Sequence, residues 1–164
     1  MINKDGIMML DEKIYISSMN AYEAEKYRVL RNRDDNRQMF FDDSVISMEQ
    51  QRSWFEKYLE KPDEYMFSIY DRESGAFVGG IGIYTNDRDE TEIGRIIIDR
   101  MICGGKGYGA LAIRLLVDFM RQSELKSLVA YIFTNNIASQ RSFEKAGFRI
   151  TDTLEDKIRY QMDI

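Results

Sequence analysis

The chain has 164 residues, of which 44% are hydrophobic and 12% aromatic, so its length and composition predict one domain with one buried core. Its 23 basic and 28 acidic residues give a net charge of −5, which disfavours nucleic acid or an anionic membrane as a partner. The absence of histidine removes the commonest metal ligand and the commonest general base, so we expect no metal site.

The single cysteine, Cys103, cannot form an internal disulfide, which is typical of a protein in the reducing cytoplasm. No apolar run approaches the roughly 20 residues of a membrane span. The first residues lack the apolar segment of a secretory signal. We therefore expect a cytoplasmic protein in which residues 1–10 are a loose leader and residues 11–164 form a single domain.

The first third of the chain predicts one strand and three helices. Residues 13–17 have the alternation of a strand. Two capping boxes, each a polar residue followed three positions later by Glu or Gln, predict helices over residues 20–31 and 47–62. A shorter helix through residue 39 is predicted, with Asp34 and Asp35 as its cap.

The middle of the chain is predicted to be β-structure. Residues 65–70 and 76–84 are rich in β-branched and aromatic side chains, and the polar loop between them predicts a hairpin. A further strand is predicted over residues 91–99, after the polar turn at residues 86–89. The last third continues with an apolar helix over 107–121, a strand over 128–133, a helix over 137–146 and strands near 148–151 and 158–162. This order predicts an α+β fold.

A glycine-rich loop joins the predicted strand 91–99 to the apolar helix after it. Four glycines fall within six positions, Gly104, Gly105, Gly107 and Gly109, and Lys106 adds a positive charge. Glycine lets the backbone approach a ligand closely, and a helix N-terminus offers unpaired N–H groups to an anion. The loop therefore indicates a phosphate-binding site rather than a simple connecting turn.

Two phosphate-binding motifs fit this loop poorly. A P-loop requires Ser or Thr after the lysine, but Gly107 follows Lys106. A dinucleotide-binding fingerprint fits G-x-G-x-x-A at residues 105–110, but it also requires an acidic residue at the end of the next strand. That strand is followed by Thr134, Asn135 and Asn136.

A second motif follows the loop after about 27 residues, the segment Asn-Ile-Ala-Ser-Gln-Arg-Ser-Phe-Glu-Lys-Ala-Gly-Phe at residues 136–148. It resembles the pattern Asn-x-x-Ser/Ala-x-x-x-Tyr-x-x-x-Gly-Phe of the GNAT superfamily of N-acetyltransferases. The loop resembles that family's coenzyme A pyrophosphate motif, Gln/Arg-x-x-Gly-x-Gly/Ala, with Gly107 and Gly109 at the small positions. The resemblance implies a GNAT fold, with a mixed, mostly antiparallel central sheet splayed at the acetyl-CoA site and helices on both faces.

The resemblance also implies acetyl-CoA as cosubstrate and a set of residues that hold it. The pantetheine arm is expected against the backbone of the splayed strand and the turn after it, the pyrophosphate at the loop, and the rest at the second motif. The implied cofactor-binding residues are Ile96, Ile97, Ile98, Met101, Ile102, Gly104, Gly105, Lys106, Gly107, Tyr108, Gly109, Ala110, Asn136, Ser139, Arg141, Phe143 and Lys145.

Acetyl transfer to an amine needs a base for the substrate ammonium and a proton for the departing thiolate. Glu92 is the candidate base, because some members of the family use a glutamate at this distance before the loop; Glu90 is the second choice. Phe143 stands where the family usually has the tyrosine that protonates the thiolate, so Ser139, Tyr131 or water must replace it. Gly104, where Gln or Arg is usual, is a second departure from the pattern.

Residues 30–40 and 46–55 resemble segments of the RimJ/RimL-like branch, which includes the amino-sugar N-acetyltransferase of pseudaminic acid synthesis. This resemblance implies Arg31, Phe40, Gln51 and Arg95 as residues that bind the amine substrate, with Arg31 against a phosphate and Phe40 against a ring. Some relatives carry histidine near the position of Gln51.

The sequence therefore predicts an enzyme that moves acetyl from acetyl-CoA to a primary amine by direct, sequential attack. A small-molecule amine, an amino sugar or nucleotide-linked amino sugar, is the first candidate acceptor. A peptide or protein N-terminus and a polyamine are the alternatives, and a coenzyme A-binding module without activity is an alternative of another class. The protein is also a candidate homodimer.

Overall fold

The computed structural model describes residues 4–164 of the chain. Its strands are β1 (Met8–Leu10), β2 (Ile14–Ser18), β3 (Tyr65–Asp71), β4 (Phe77–Thr85), β5 (Thr91–Ile98), β6 (Ser127–Phe133), β7 (Arg149–Thr153) and β8 (Lys157–Asp163). Its helices are α1 (Ala21–Asn32), α2 (Asp34–Arg37), α3 (Met48–Glu60), α4 (Arg100–Cys103), α5 (Tyr108–Met120) and α6 (Ile137–Ala146). The predicted α+β class and GNAT fold are confirmed.

One sheet contains all eight strands described, in the order β1-β2-β3-β4-β5-β6-β8-β7. Neighbouring strands are antiparallel except for β5 and β6, which are parallel and share a single register pair, Glu92 with Val129. Beyond that pair the two strands separate. The sheet therefore consists of two antiparallel halves joined at one point, with an opening between them.

The helices pack on both faces of the sheet, because alternate side chains of each strand point to opposite sides. In β3, Phe67 belongs to the core beneath α5 and α6, whereas Met66 belongs to the core beneath α1 and α3. The first core also contains Ile113 and Leu116 of α5, both fully buried. α5 is therefore the central helix of one face, as its apolar composition predicts.

Helix α1 and helix α3 begin at the predicted capping boxes. Asn20 accepts the backbone N–H of Glu23 at 2.9 Å, and the Glu23 carboxylate accepts the N–H of Asn20 at 3.0 Å. Ser47 and Gln50 make the same reciprocal pair. Each box satisfies N–H groups that have no acceptor within the helix.

The structure differs from the sequence predictions in two places. Met8–Leu10 form strand β1, hydrogen-bonded to β2, so a loose leader is wrong for these residues; residues 1–3 of that prediction lie outside the described residues. Helix α4, which precedes the glycine loop, was not predicted. No helix within residues 4–164 combines the length and apolar composition that a membrane crossing requires.

Candidate active site

The opening between β5 and β6 continues into a cleft of about 480 Å³. The glycine loop, residues 104–109, lies at one end, and Glu92 with the aromatic residues around it lies at the other. The start of α6 forms one wall and the segment that follows α2 another. The cleft thus brings together both sequence motifs and the predicted base.

The glycine loop adopts a conformation that depends on glycine. Gly105 and Gly107 have φ of 80° and 76°, a left-handed conformation that other residues rarely adopt. Gly107 caps α5 without a side chain, so the first N–H groups of the helix point into the loop. A Cβ built on either glycine has no atom within 4 Å, so the space around the loop is open. An anion such as a pyrophosphate fits this arrangement.

The N-terminal end of α5 is fixed by its first side chain. Tyr108 is buried, and its hydroxyl donates to the Asp71 carboxylate of β3 at 2.6 Å. Hydrogen bonds from Ser74 and then Tyr108 lower the pKa of Asp71 to about 2. Tyr108 therefore contributes only main chain to the loop, and its side chain anchors the helix.

Gly104, the residue that departs from the family pattern, has a steric explanation. Its N–H donates to the carbonyl oxygen of Arg100 at 3.0 Å and so ends α4. A Cβ at this position would lie only 2.6 Å from that same oxygen. The extra turn α4 therefore requires glycine where a longer side chain is usual.

Strand β5 carries a bulge in the middle of the cleft. Between the pairs Gly80–Ile97 and Gly82–Gly94, β5 has one more residue than β4. Arg95 lies in this bulge with φ of 52°, and Tyr27 of α1 donates its hydroxyl to the Arg95 carbonyl at 2.7 Å. Bulges change the direction of backbone groups, and here the bulge lies on the strand that borders the opening.

Glu92 is buried, with 7% of its surface exposed, and it lines the cleft. Burial raises the pKa of its carboxyl above the ordinary value, against hydrogen bonds from Asn86 at 3.1 Å and Tyr84 at 3.1 Å that act to lower it. A carboxylate with a raised pKa is suited to accept a proton near neutral pH.

Glu90 has a different environment. Its carboxylate accepts hydrogen bonds from Tyr131 at 2.7 Å and from Nη2 of Arg159 at 2.5 Å. Burial alone would raise the pKa of Glu90, but hydrogen bonds from Tyr131, Arg159 and Asn86 lower it. Glu90 is thus held as an anion in an ion pair. We call Tyr84, Asn86, Glu90, Glu92, Tyr131 and Arg159 the Glu92 cluster.

The second motif places its residues where α6 begins. Asn136 caps the helix by accepting the N–H of Ser139 at 3.2 Å, and Ser139 lines the cleft together with Arg141 and Lys145. Phe143 is buried, packing edge-on against Phe148 at 5.1 Å between ring centroids. The Phe143 ring has no proton to donate.

Several predicted cofactor residues do not face the cleft with their side chains. Met101 is 83% exposed and Ile102 is also exposed. Their backbone N–H groups are used within the turn, the first by the Asp99 carboxylate at 3.1 Å and the second by the Asp99 carbonyl at 3.1 Å. The N–H groups of these two residues are therefore already paired within the turn, and their contact with the cofactor stays a prediction. Ile96, Ile97 and Ile98 border the opening, whereas Lys106 is exposed beside it.

Two predicted substrate residues have structural roles instead. Arg31 is buried and donates to the carbonyl oxygens of Ser44, at 2.8 Å, and Asp42. Gln51 is buried and donates to the Ala24 carbonyl at 3.0 Å, which joins α3 to α1. Neither side chain lines the cleft in this structure, and the predicted contact of Arg31 with a substrate phosphate stays a prediction.

The other two, Phe40 and Arg95, do line the cleft. Arg95 forms an ion pair with Glu64, and its guanidinium lies 4.2 Å from the Tyr84 ring centroid. Phe40 belongs to the loop over residues 38–46, which lacks regular structure. Side chains of Arg28, Arg31, Asn32 and Arg37 hold this loop by donating to its carbonyl oxygens.

Sequence reasoning missed Tyr84 and Asn86. The hairpin that joins β4 to β5 pairs Thr85 with Thr91 and, one step further, Tyr84 with Glu92. Counting outward from the predicted turn would have placed Tyr84 beside the candidate base. Arg159 carried no comparable signal, because β8 reaches the cluster only through the tertiary fold. Within residues 4–164, no group of three or more acidic or cysteine side chains is arranged to hold a metal ion.

Comparison with known proteins is consistent with this geometry. The model of the acetyltransferase (GNAT) domain matches residues 13–149. The probable N-acetyltransferase YjcK of Bacillus subtilis is 30% identical over 153 residues, covering 86% of this chain and 83% of that protein. The uncharacterized protein MJ1062 of Methanocaldococcus jannaschii is 26% identical over 86% of this chain, which spans only 29% of its length.

Solved structures of acetyltransferases share the fold. Spermidine N-acetyltransferase of Vibrio cholerae, solved with CoA and spermine, is 16% identical with a TM-score of 0.82, covering 93% of this chain and 96% of its own. FdhC, a nucleotide-linked sugar GNAT, is 16% identical with a TM-score of 0.79 over 96% and 90%. RimL, a ribosomal L7/L12 α-N-protein acetyltransferase solved with CoA, is 13% identical with a TM-score of 0.79 over 96% and 98%.

Proposed function

The chain belongs to the GNAT family of acetyltransferases, and on that premise we propose that it transfers acetyl from acetyl-CoA to the primary amine of an anionic small molecule. The observation that carries this proposal is the cleft between β5 and β6. It has an anion-binding loop at one end and a buried carboxylate with a raised pKa at the other. The loop would bind the phosphates of the cosubstrate, and the carboxylate would accept the proton of the amine.

The residues along the cleft fit coenzyme A. The glycine loop and the N-terminus of α5 would hold the pyrophosphate, and the open edge of β5 at Ile96, Ile97 and Ile98 would hold the pantetheine arm. Arg141 and Lys145 lie where they would reach a further phosphate of the cofactor. When bound, acetyl-CoA supplies a thioester-activated acetyl group.

Glu92 would act as the general base. A substrate amine enters as an ammonium ion and must lose a proton before it can attack a carbonyl carbon. The Glu92 carboxylate is buried in the cleft, and its raised pKa brings its proton affinity closer to that of the amine. Glu90, as an ion pair with Arg159, is unsuited to this step.

A group other than Phe143 must donate the proton to the thiolate. Ser139 lines the cleft at the start of α6, one helical turn before Phe143. Tyr131 is a poorer donor, because its hydroxyl already donates to Glu90 at 2.7 Å and accepts from Arg159 at 3.2 Å. We assign the role to Ser139, or to water held beside it.

The charges at the Glu92 end favour an acceptor that carries a negative group. Lys157 lies 4.6 Å from the Phe41 ring centroid, and Arg88 lies 5.3 Å from the Tyr131 ring centroid. Phe41 and Tyr131 both line the cleft, and within residues 4–164 neither cation has a carboxylate within 4.0 Å. These two cations could replace Arg31 as partners of a substrate phosphate.

A nucleotide-linked amino sugar matches these features best. Its ring would meet the aromatic side chains Phe40, Phe41 and Phe133, and its phosphates would meet Lys157 and Arg88. A polyamine would bring further positive charge toward the two cations, which costs binding energy. We place the reaction in the cytoplasm, and we leave dimer formation as a prediction.

The test is thiol release from acetyl-CoA with matched acceptors. The panel contains a nucleotide-linked amino sugar, the same sugar without phosphate, a peptide with a free N-terminus, and spermidine. We expect the highest kcat/KM for the nucleotide-linked sugar, and Lys157→Glu should raise its KM about tenfold, as loss and reversal of one rim charge predicts. Fastest turnover of the peptide or of spermidine would contradict the acceptor class. Binding of coenzyme A without turnover of any amine would instead favour a binding module.

A further inference from the structure

We propose that Asn86 is a positioning residue that aims the Glu92 carboxylate into the cleft and couples it to the Glu90–Arg159 ion pair. The proposal rests on the proposed role of Glu92. It concerns residues outside both family motifs, at the turn between β4 and β5 and on β8.

The orientation of the Asn86 amide is determined by its backbone contacts. Its Oδ1 accepts the N–H of Arg88 at 2.9 Å and the N–H of Glu90 at 3.1 Å. Because an amide oxygen only accepts and an amide nitrogen only donates, the NH₂ group must face the other way. That direction contains both carboxylates, Glu92 at 3.1 Å and Glu90 at 3.2 Å.

One NH₂ group therefore bridges two acidic side chains. It donates to Oε2 of Glu92 and to Oε2 of Glu90, and Tyr84 donates to the remaining oxygen of Glu92 at 3.1 Å. With each carboxylate oxygen of Glu92 held by a different donor, the plane of the group is fixed. Loss of Asn86 would free one oxygen and allow the carboxylate to rotate.

The surroundings of the two carboxylates differ. Arg159 of β8 donates to Glu90 through two nitrogens, Nε at 3.0 Å and Nη2 at 2.5 Å. Glu92 has no such partner and is mainly affected by burial. The Glu90 charge acts to raise the pKa of Glu92, and the ion pair with Arg159 offsets part of that charge. Removal of Arg159 would expose Glu92 to an uncompensated negative charge one amide away.

Other groups also face Glu92 or its direct partners. They come from α1, β4, β5, β6 and the turn before β5, and each can alter the proton affinity of Glu92: Tyr27, Tyr84, Arg95 with its partner Glu64, Tyr131 and Arg88. None of them connects Glu92 to Glu90. The experiment must therefore distinguish the effect of the Asn86 bridge on the pKa of Glu92 from the effects of these other groups.

The experiment measures the titration of Glu92 directly, without acetyl-CoA. Carboxyl ¹³C signals are followed against pH by NMR, with the Glu92 signal assigned by its loss in Glu92→Gln. We expect Arg159→Gln to raise the Glu92 midpoint by about one pH unit, and Glu90→Gln combined with Arg159→Gln to return it toward wild type. Asn86→Ala should raise it too, and Asn86→Asp should raise it further, because a third carboxylate replaces the NH₂ group.

The same variants are then assayed for acetyl transfer. The acidic limb of the kcat/KM profile should move to higher pH in parallel with the NMR midpoint, and Asn86→Ala should lower kcat about tenfold with little change in KM for acetyl-CoA. Asn20→Ala is the matched control, since it also removes an asparagine that accepts a backbone N–H, at the distant start of α1. It should reduce stability and leave the Glu92 midpoint where it is.

Unchanged Glu92 midpoints in Asn86→Ala and Arg159→Gln would overturn the proposal. If Arg159→Gln does not fold, Asn86→Ala and Asn86→Asp decide the question, and unchanged Glu92 midpoints in both would overturn the proposal. A shifted midpoint together with full activity of Glu92→Gln would support the coupling and refute the base assignment. The two failures are therefore distinguishable.

Discussion

The glycine loop and the Glu92 cluster are the two ends of one cleft, but they are built in different ways. The loop uses main-chain N–H groups and two residues with positive φ, all from one continuous segment. The cluster uses side chains from β4, the following turn, β5, β6 and β8. A main-chain site is specified by local sequence, whereas a side-chain site depends on strands that meet only after folding. We therefore expect substitutions at the two ends to impair the protein in different ways.

The largest effect is expected at the Glu92 cluster. Glu92→Gln removes the proposed proton acceptor while leaving a side chain of the same shape, so kcat should fall by about 10² to 10⁴-fold. The affinity for coenzyme A should stay within a factor of about two, because the glycine loop is at the far end of the cleft. Thiol release and calorimetric titration with coenzyme A measure the two quantities. Equal turnover by Glu92→Gln and wild type would refute the base assignment.

The opposite pattern is expected at the glycine loop. Gly107→Ala places a Cβ on a residue with φ of 76°, a conformation that costs an alanine about 1–2 kcal/mol. The free protein would relieve this strain by changing the loop conformation. Binding of coenzyme A would then have to restore the strained conformation. Coenzyme A affinity should fall about tenfold by calorimetry, which corresponds to about 1.4 kcal/mol. Turnover at saturating acetyl-CoA should change much less.

Gly75→Ala is the matched control for that strain. Gly75 has φ of 72° in the β3–β4 hairpin, and a Cβ there also has no atom within 4 Å. It should lose a similar amount of stability in thermal unfolding without losing coenzyme A affinity. A weaker coenzyme A complex in Gly75→Ala would mean that the effect at Gly107 is general destabilisation.

A smaller effect is expected at the loop over residues 38–46. Arg31→Met removes the hydrogen bonds to the Ser44 and Asp42 carbonyls and keeps much of the apolar volume. Without these bonds the loop that carries Phe40 becomes less ordered, so the KM for the amine should rise about threefold to tenfold. The KM for acetyl-CoA should stay nearly unchanged. Steady-state kinetics with each substrate varied in turn measures this. A change confined to KM for acetyl-CoA would contradict the assigned role.

The smallest effect is expected in the pH dependence of stability. The pKa of Asp71 is about 2 in the folded protein, below its ordinary value of 3.8, chiefly because Ser74 and Tyr108 donate to it. A lowered folded-state pKa adds stability above the unfolded pKa, and that stability is lost as pH falls from 3.8 toward 2. Asp71→Asn should therefore be less stable than wild type at pH 7 in urea unfolding, and the difference should shrink below pH 4. If the difference in the free energy of unfolding between the two proteins does not change with pH, the Asp71 carboxylate is not its source.

The fold and the position of the glycine loop before α5 could be predicted in large part from sequence, because their signals are local. Capping boxes, a hairpin turn and two short motifs each lie within a few consecutive residues. The contacts of Arg31 and Gln51 could not be predicted, because polar side chains in an amphipathic helix can face either a ligand or a neighbouring loop, and local sequence does not distinguish them. Asn86 and Arg159 were missed because their roles depend on contacts between strands.

The single pair that joins β5 to β6 has a mechanical consequence. If one half of the sheet rotates relative to the other about the Glu92–Val129 pair, each atom moves in proportion to its distance from that pair. Atoms at the glycine loop then move further than the Glu92 carboxylate, which belongs to the pair itself. Such a rotation would widen or narrow the cleft at the glycine loop and leave the position of Glu92 relative to β6 unchanged.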